Sequence, residues 1–210
     1  MTSALVAAAT AGYLYGHRTS TSTAGSAPSP SGPYQLTAPQ SVLGGAFIVD
    51  PDTTVPASPT AVRDYADDGV TNPTPVSISY KSGSSASRES IQLDGAWGTI
   101  SDPEQAIDRQ FAASTRNPTS NPTLHSELVG PRQTMHPTGL GDAVMKCQNF
   151  RLDVKQTPTI TPICIWADHY TLGQVTVYDP EALRHGGTGV SLGENADTAA
   201  RIRNDARTPR

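Results

Sequence analysis

Apolar and polar residues alternate one for one in several stretches of the chain, and recur at helical spacing in two others. Val76, Ile78 and Tyr80 interleave with Ser77 and Ser79, which predicts a strand with one wet face. Ile91 and Leu93 repeat the pattern, and Trp97 continues that face beyond Gly95. Residues 144–152 and 160–166 read as two further strands. A third comes after them over 172–178, with Val175 and Val177 on one face and Gln174 and Thr176 on the other. Nearer the start, Tyr34 and Leu36 alternate as a short strand, Gly44-Gly45 turns the chain, and residues 46–49 form another apolar run. Residues 50–60 read as a loop. Thr60 is placed to cap a short helix through Tyr65, which Asp67-Asp68-Gly69 ends.

Two longer helices are announced by capping boxes, in which a Ser side chain and a Glu three residues on satisfy each other's backbone N–H groups. The first is Ser101-Asp-Pro-Glu104, with Pro103 inside the first turn; Ile107 and Phe111 share its apolar face, Asp108, Arg109 and Gln110 face water, and it ends near Ser114. The second is Ser191-Leu-Gly-Glu194, opening a helix to about Ala206. Its stripe of Leu192, Ala196, Ala199 and Ile202 is small enough to pack closely on a sheet. Asn-Pro-Thr recurs at Asn72, Asn117 and Asn121. Pro holds each Asn out of the helical region, which is turn logic, and by occupying the middle position excludes all three as glycosylation acceptors.

The two cysteines, Cys147 and Cys164, fall in the two strands predicted around residues 144–166. If they face each other, the turn between the strands is centred on Lys155-Gln156, Met145 lies opposite Trp166, and Asn149 lies opposite Pro162. A directly opposed pair suits the closely spaced positions of an antiparallel ladder. Such a disulfide constrains the unfolded chain by roughly 3 kcal/mol and implies an oxidising compartment.

Composition narrows the folded part. Hydrophobic residues make up only 36% of the 210, and the shortfall lies in Ser/Thr/Pro/Gly stretches drawing on 18 Gly and 18 Pro. The core must come from a subset of about 150 residues, still enough to bury one. Residues 2–15 are uncharged and rich in small apolar residues, ending in Tyr13, Tyr15, His17 and Arg18, like a membrane-interface belt. The run is shorter than a full span and lacks a positive start, so residues 1–18 read as the outer part of a signal-anchor helix; a cleaved signal or an Ala-rich soluble helix are the alternatives. Residues 19–33 are almost wholly Ser, Thr, Ala, Gly and Pro, a tether. Residues 34–210 form the domain it carries. A net charge of −4, with scattered basic residues, gives no footprint for nucleic acid.

No catalytic constellation stands out. Asp168-His169 reads as a structural turn after the Cys164 strand, because neighbouring positions on a strand point opposite ways and no nucleophile accompanies them. His185-Gly-Gly-Thr-Gly189 lacks the nucleophile elbow that a Gly-rich oxyanion loop needs, and fits no dinucleotide fingerprint; it reads as a loop before the last helix. His17, His125, His136, His169 and His185 show no metal-ligand spacing, so no metal and no cofactor are assigned. Asp50-Pro-Asp52 and Asp67-Asp68 are turn chemistry rather than a calcium site. Trp97 and Trp166 read as core anchors.

Three segments carry a resemblance: residues 33–45, Cys164-Ile-Trp-Ala-Asp168, and Thr171-Leu-Gly173-Gln-Val175. With the capped, Arg-bearing last helix, they resemble uncharacterised membrane-anchored proteins of actinomycetes, notably streptomycetes, over roughly residues 33–207. The resemblance implies a membrane helix, a linker and an extracytoplasmic domain, and transfers no catalytic residue. The chain departs from that group at its start, where a cytoplasmic segment and basic flank are missing.

The expected fold is α+β: an antiparallel sheet of about five to seven strands, two main helices and one cross-strand disulfide. The expected function is an exported, membrane-anchored, non-enzymatic module that binds, senses or scaffolds at the cell envelope, with an unknown envelope partner or ligand. A secreted hydrolase with a dispersed site, or a small-molecule or lipid carrier, are the alternatives.

Overall fold

The computed structural model describes residues 33–54, 57–84, 89–116, 124–154 and 157–210; the expected anchor, most of the tether, Asn117, Asn121 and the Lys155-Gln156 turn lie outside them. Eleven strands are described: β1 (Tyr34–Leu36), β2 (Ser41–Val42), β3 (Phe47–Val49), β4 (Val70–Ser82), β5 (Ser90–Ile100), β6 (Leu124–Thr134), β7 (Val144–Val154), β8 (Thr157–Ala167), β9 (Thr171–Tyr178), β10 (Gly187–Thr188) and β11 (Arg207–Pro209). The helices are α1 (Ala61–Asp67), α2 (Pro103–Arg116), α3 (Pro180–His185) and α4 (Leu192–Ala206). The fold is α+β, as expected, but the sheet is larger. Nine strands join it, in the order β2-β3-β4-β5-β9-β8-β7-β6 with β10 added parallel to β8, while β1 and β11 pair separately. All other pairings are antiparallel.

The extra strands are short, or polar and at an edge. β6 has no clean alternation of its own: its register with β7 shifts between Val129 and Gln133, and the strand continues past the irregularity. Asn72 likewise sits not in a loop but within β4, at a positive φ of 53° where the register with β5 shifts.

β8 explains why the sheet is covered on both sides. Its run Ile163 to Ala167 is apolar without interruption: Cys164 and Trp166 enter the core under α4, while Ile163, Ile165 and Ala167 enter the core under α1 and α2. On α4 the expected stripe holds, with Ala196, Ala199 and Ile202 buried, and Asn195 donates its amide to the Pro162 and Val175 carbonyls at 3.1 Å each, pinning the helix across β8 and β9. The Ser191–Glu194 capping box is present in both directions. The other box is not. Asp102, rather than Ser101, accepts from the Gln105 N–H at 3.0 Å, because Pro103 takes the first helical position and leaves the residue before it as the cap. Thr60 precedes α1 as expected, yet its hydroxyl donates to Asp64 instead of capping the backbone.

Cys147 and Cys164 are bonded, face each other in the ladder, and place their Cα atoms 4.2 Å apart, the spacing of a close antiparallel pair. The register also sets Met145 against Trp166 and Asn149 against Pro162.

Candidate functional site

The wet face of β4 has counterparts on its neighbours. Register places Ser77, Asp94 and Gln174 in one row across β4, β5 and β9, and Ser79, Gln92 and Thr176 in the next. On the same face, one row farther along, Ala96, Leu172 and Ala167 are apolar, and with Ile165 of β8 they lie beneath α1 and α2. The helices therefore cover the apolar part of this face and leave the row of Ser77, Asp94 and Gln174 as the floor of a cleft of about 850 Å³. α1 contributes Asp64, Tyr65 and Asp67, and Asp68 follows as its C-cap; the later turns of α2 contribute Gln110, Ala113 and Ser114; Ala57, Ser58 and Pro59 close the remaining side.

Asp94 is the centre of the floor. Its Oδ1 accepts from the Ser77 hydroxyl at 2.6 Å and from the Gln92 amide at 3.0 Å, so the carboxylate is held in place by neutral donors. Among the described residues no cationic side chain pairs with it, and none of those lining the cleft is Lys, Arg or His. Tyr65 is only 9% exposed, and among the described residues its hydroxyl makes no hydrogen bond. Burial, and then the carboxylates of Asp94, Asp68 and Asp64, push its pKa far above the ordinary value, so the phenol keeps its proton. The Gln110 side-chain oxygen Oε1 is also buried against the cleft without a hydrogen-bond partner among the described residues. The site is thus a fixed anion with neutral hydrogen-bonding groups and short apolar side chains around it.

The residues singled out in the sequence fall elsewhere. Asp168 is a buried structural residue: it accepts from the backbone of Tyr170 and Thr171 at 2.8 Å each, from the Thr171 hydroxyl, and from Arg203 and Arg207. His169 is exposed, with its Nδ1 3.0 Å from the Ile100 carbonyl, and His136 and His185 are exposed as well; none borders the cleft. His17 and the side chain of His125 lie outside the described part. Asp50 makes the expected turn, accepting from the Asp52 N–H and the Thr53 hydroxyl, with Lys81 bonded to it at 3.1 Å. The His185-to-Gly189 segment corrects the loop expectation: Gly186 ends α3, and Gly187–Thr188 pairs with β8. Trp166 is a core anchor, but Trp97 is only partly buried and carries the Arg210 guanidinium 4.4 Å above its ring.

Tyr65, Asp94, Gln110 and Gln174 do not stand out as a group in the sequence. For Asp94 and Gln174 the signal is the polar alternation of the strands, which becomes a site only when the register aligns the row; Tyr65 and Gln110 come from helices and carry no such signal. No protein-family model matches the chain, and no curated protein matches it.

Proposed function

We propose that the chain is an exported, membrane-anchored binding module of the cell envelope, without catalytic activity, whose ligand enters the cleft over β4, β5 and β9. In this reading residues 1–18 anchor the protein, residues 19–33 hold the domain away from the membrane, and residues 34–210 face the outside. The resemblance to anchored actinomycete proteins supports that plan, and the disulfide is consistent with an oxidising location. The observation that carries the binding assignment is the cleft with Asp94 at its floor: a concave polar site, on a rigid sheet, with hydrogen-bonding groups left free. The lining favours binding over hydrolysis, since the hydroxyl of Ser77 is engaged with Asp94 and, among the described residues, no histidine lines the cleft. It also argues against a lipid carrier, because four aspartates border the cleft.

The test combines location and occupancy. Protease added to intact host cells is expected to degrade the domain while leaving cytoplasmic proteins whole; protection until lysis rejects the envelope placement. In a metabolite screen read by thermal unfolding of the full chain, stabilising compounds are expected to lose their effect on an Ala113→Trp variant, which fills the cleft. Hits unaffected by that plug place binding elsewhere, and turnover of a hit that the plug abolishes makes the protein a hydrolase.

A further inference from the structure

The ligand class is written in what the cleft leaves unpaired. We propose that it holds a protonated alkylamine, with the ammonium against Asp94 and its methylene chain along the apolar wall; this rests on the cleft being the binding site. Asp94 is an anion held by two neutral donors on a central strand, partly withdrawn from water, with no protein cation beside it among the described residues. A half-buried carboxylate is most favourable when a cation supplies the missing charge. Two further groups point the same way. Tyr65, nine-tenths buried, leaves its hydroxyl oxygen without a hydrogen-bond partner among the described residues, and the buried Gln110 oxygen is an unused acceptor. A carboxylate, an amide oxygen and a phenol oxygen are three acceptors, and an alkylammonium is three donors on a point charge. An anionic ligand would meet four aspartates here and, among the described lining residues, no cationic side chain.

The apolar lining decides which group the nitrogen carries. Ala57, Pro59, Ala61 and Ala113 give small aliphatic contacts beside the charge, which suit a run of methylenes. A bare divalent ion fits less well. Among the described residues no group of three or more carboxylate, imidazole or thiolate side chains converges tightly enough to hold one. The same chemistry is offered by a free diamine and by a lysine side chain of a peptide.

Full-length protein labelled for amide NMR is titrated with 1,5-diaminopentane, with an acetylated, amidated Gly-Lys-Gly peptide, with 1,5-pentanediol, with glutarate and with calcium. The expected result is saturable shift changes on α1, β5 and the end of α2 with the diamine, weakening as salt rises. Parallel changes with the peptide identify a lysine-bearing partner, and their absence identifies a free amine as the ligand. Asp94→Asn, isosteric and still able to bond Ser77, is expected to lower diamine affinity about tenfold or more. Tyr65→Phe keeps the ring and loses the hydroxyl, and is expected to weaken affinity by about threefold with its unfolding midpoint unchanged, whereas Asp153→Asn changes nothing. Shifts at the cleft with the diol or glutarate, and none with either amine, overturn the amine assignment but leave the cleft as the binding site. Tight calcium binding that Asp94→Asn abolishes overturns it in favour of a metal. Silence of the cleft toward every probe overturns both readings.

Discussion

Arg203, near the end of α4, donates to Asp168 at 2.8 Å, and the two side chains are 2% and 3% exposed. Arg203 also donates to the Leu140 carbonyl and to Asp142, and Arg207 reaches Asp168 at 3.1 Å. The last helix, the turn after β8 and the loop before β7 are thus fastened at one buried charge. Asp168 also accepts from two backbone N–H groups of its own turn, so the carboxylate organises local and distant chain at once.

Removing one partner of such a pair strands the other charge in the interior. Arg203→Leu is expected to destabilise the protein by about 3 kcal/mol, read as a lower urea midpoint. Asp142, 69% exposed, is a rim partner, and Asp142→Asn is expected to cost less than about 1 kcal/mol. Equal costs for the two variants would show that the buried pair is not the fastening.

The disulfide makes a kinetic as well as a thermodynamic prediction. Both sulfurs belong to residues with no exposure, beneath α4, so reductant cannot reach them without opening of the fold. Dithiothreitol is expected to leave the bond intact in buffer and to cleave it in urea, with thiols counted by alkylation and mass spectrometry. The Cys147→Ala, Cys164→Ala double variant is expected to lose about 3 kcal/mol. Rapid reduction of the native protein contradicts the buried placement.

Gly173 is required by a neighbouring ring. It faces Trp166 across the β8–β9 ladder, and a Cβ there would lie 2.2 Å from the indole Cζ2. A rigid ring inside a packed core cannot step aside, so Gly173→Ala is expected to cost about 3 kcal/mol. Trp166→Phe should recover part of that loss in a double-mutant cycle. Additive effects of the two substitutions would remove the clash as the cause.

These relationships show what the sequence could carry. Two opposed cysteines set the register of β7 against β8, and the Ser191–Glu194 box with its alanine stripe placed α4. Local chemistry sufficed in both. It failed where pairing at long range sets the structure: β11 exists because it lies against β1, with Arg207 over the Tyr34 ring, and a three-residue segment has no pattern of its own. α3 is missed although Asp179-Pro180-Glu181 is a start signal, because its single turn and a half shows no periodicity. The cleft is half legible. The polar faces of β4 and β9 are readable, but their alignment with Asp94 and the approach of Tyr65 and Gln110 belong to tertiary packing.

Stability should fall at both ends of the pH scale, for opposite reasons. Three carboxyls lie below their ordinary pKa: Asp50, hydrogen-bonded by Lys81; Asp108, where burial works the other way but Lys146 and Arg132 prevail; and Glu194, bonded by the Ser191 backbone and hydroxyl. With folded values depressed, the unfolded chain binds protons first on acidification, so their stabilisation is whole above the ordinary carboxylate range and drains away as pH falls through it. Three tyrosines move upward. Burial raises Tyr65, then the nearby carboxylates; burial pushes Tyr80 up to about 12; and burial, with Asp94, raises Tyr178. Here the unfolded chain loses protons first, near pH 10, so stability is complete below that value and declines as pH climbs toward the folded values. Urea midpoints between about pH 3 and about pH 11.5 are expected to form a plateau with two falling edges. Phenolate absorbance from these three tyrosines should appear together with unfolding. Tyr80→Phe should flatten the alkaline edge, since its phenol donates to the Pro39 carbonyl only while protonated. Phenolate signal from Tyr65 and Tyr80 near pH 10 in a still-folded chain would contradict the buried placement of these two rings.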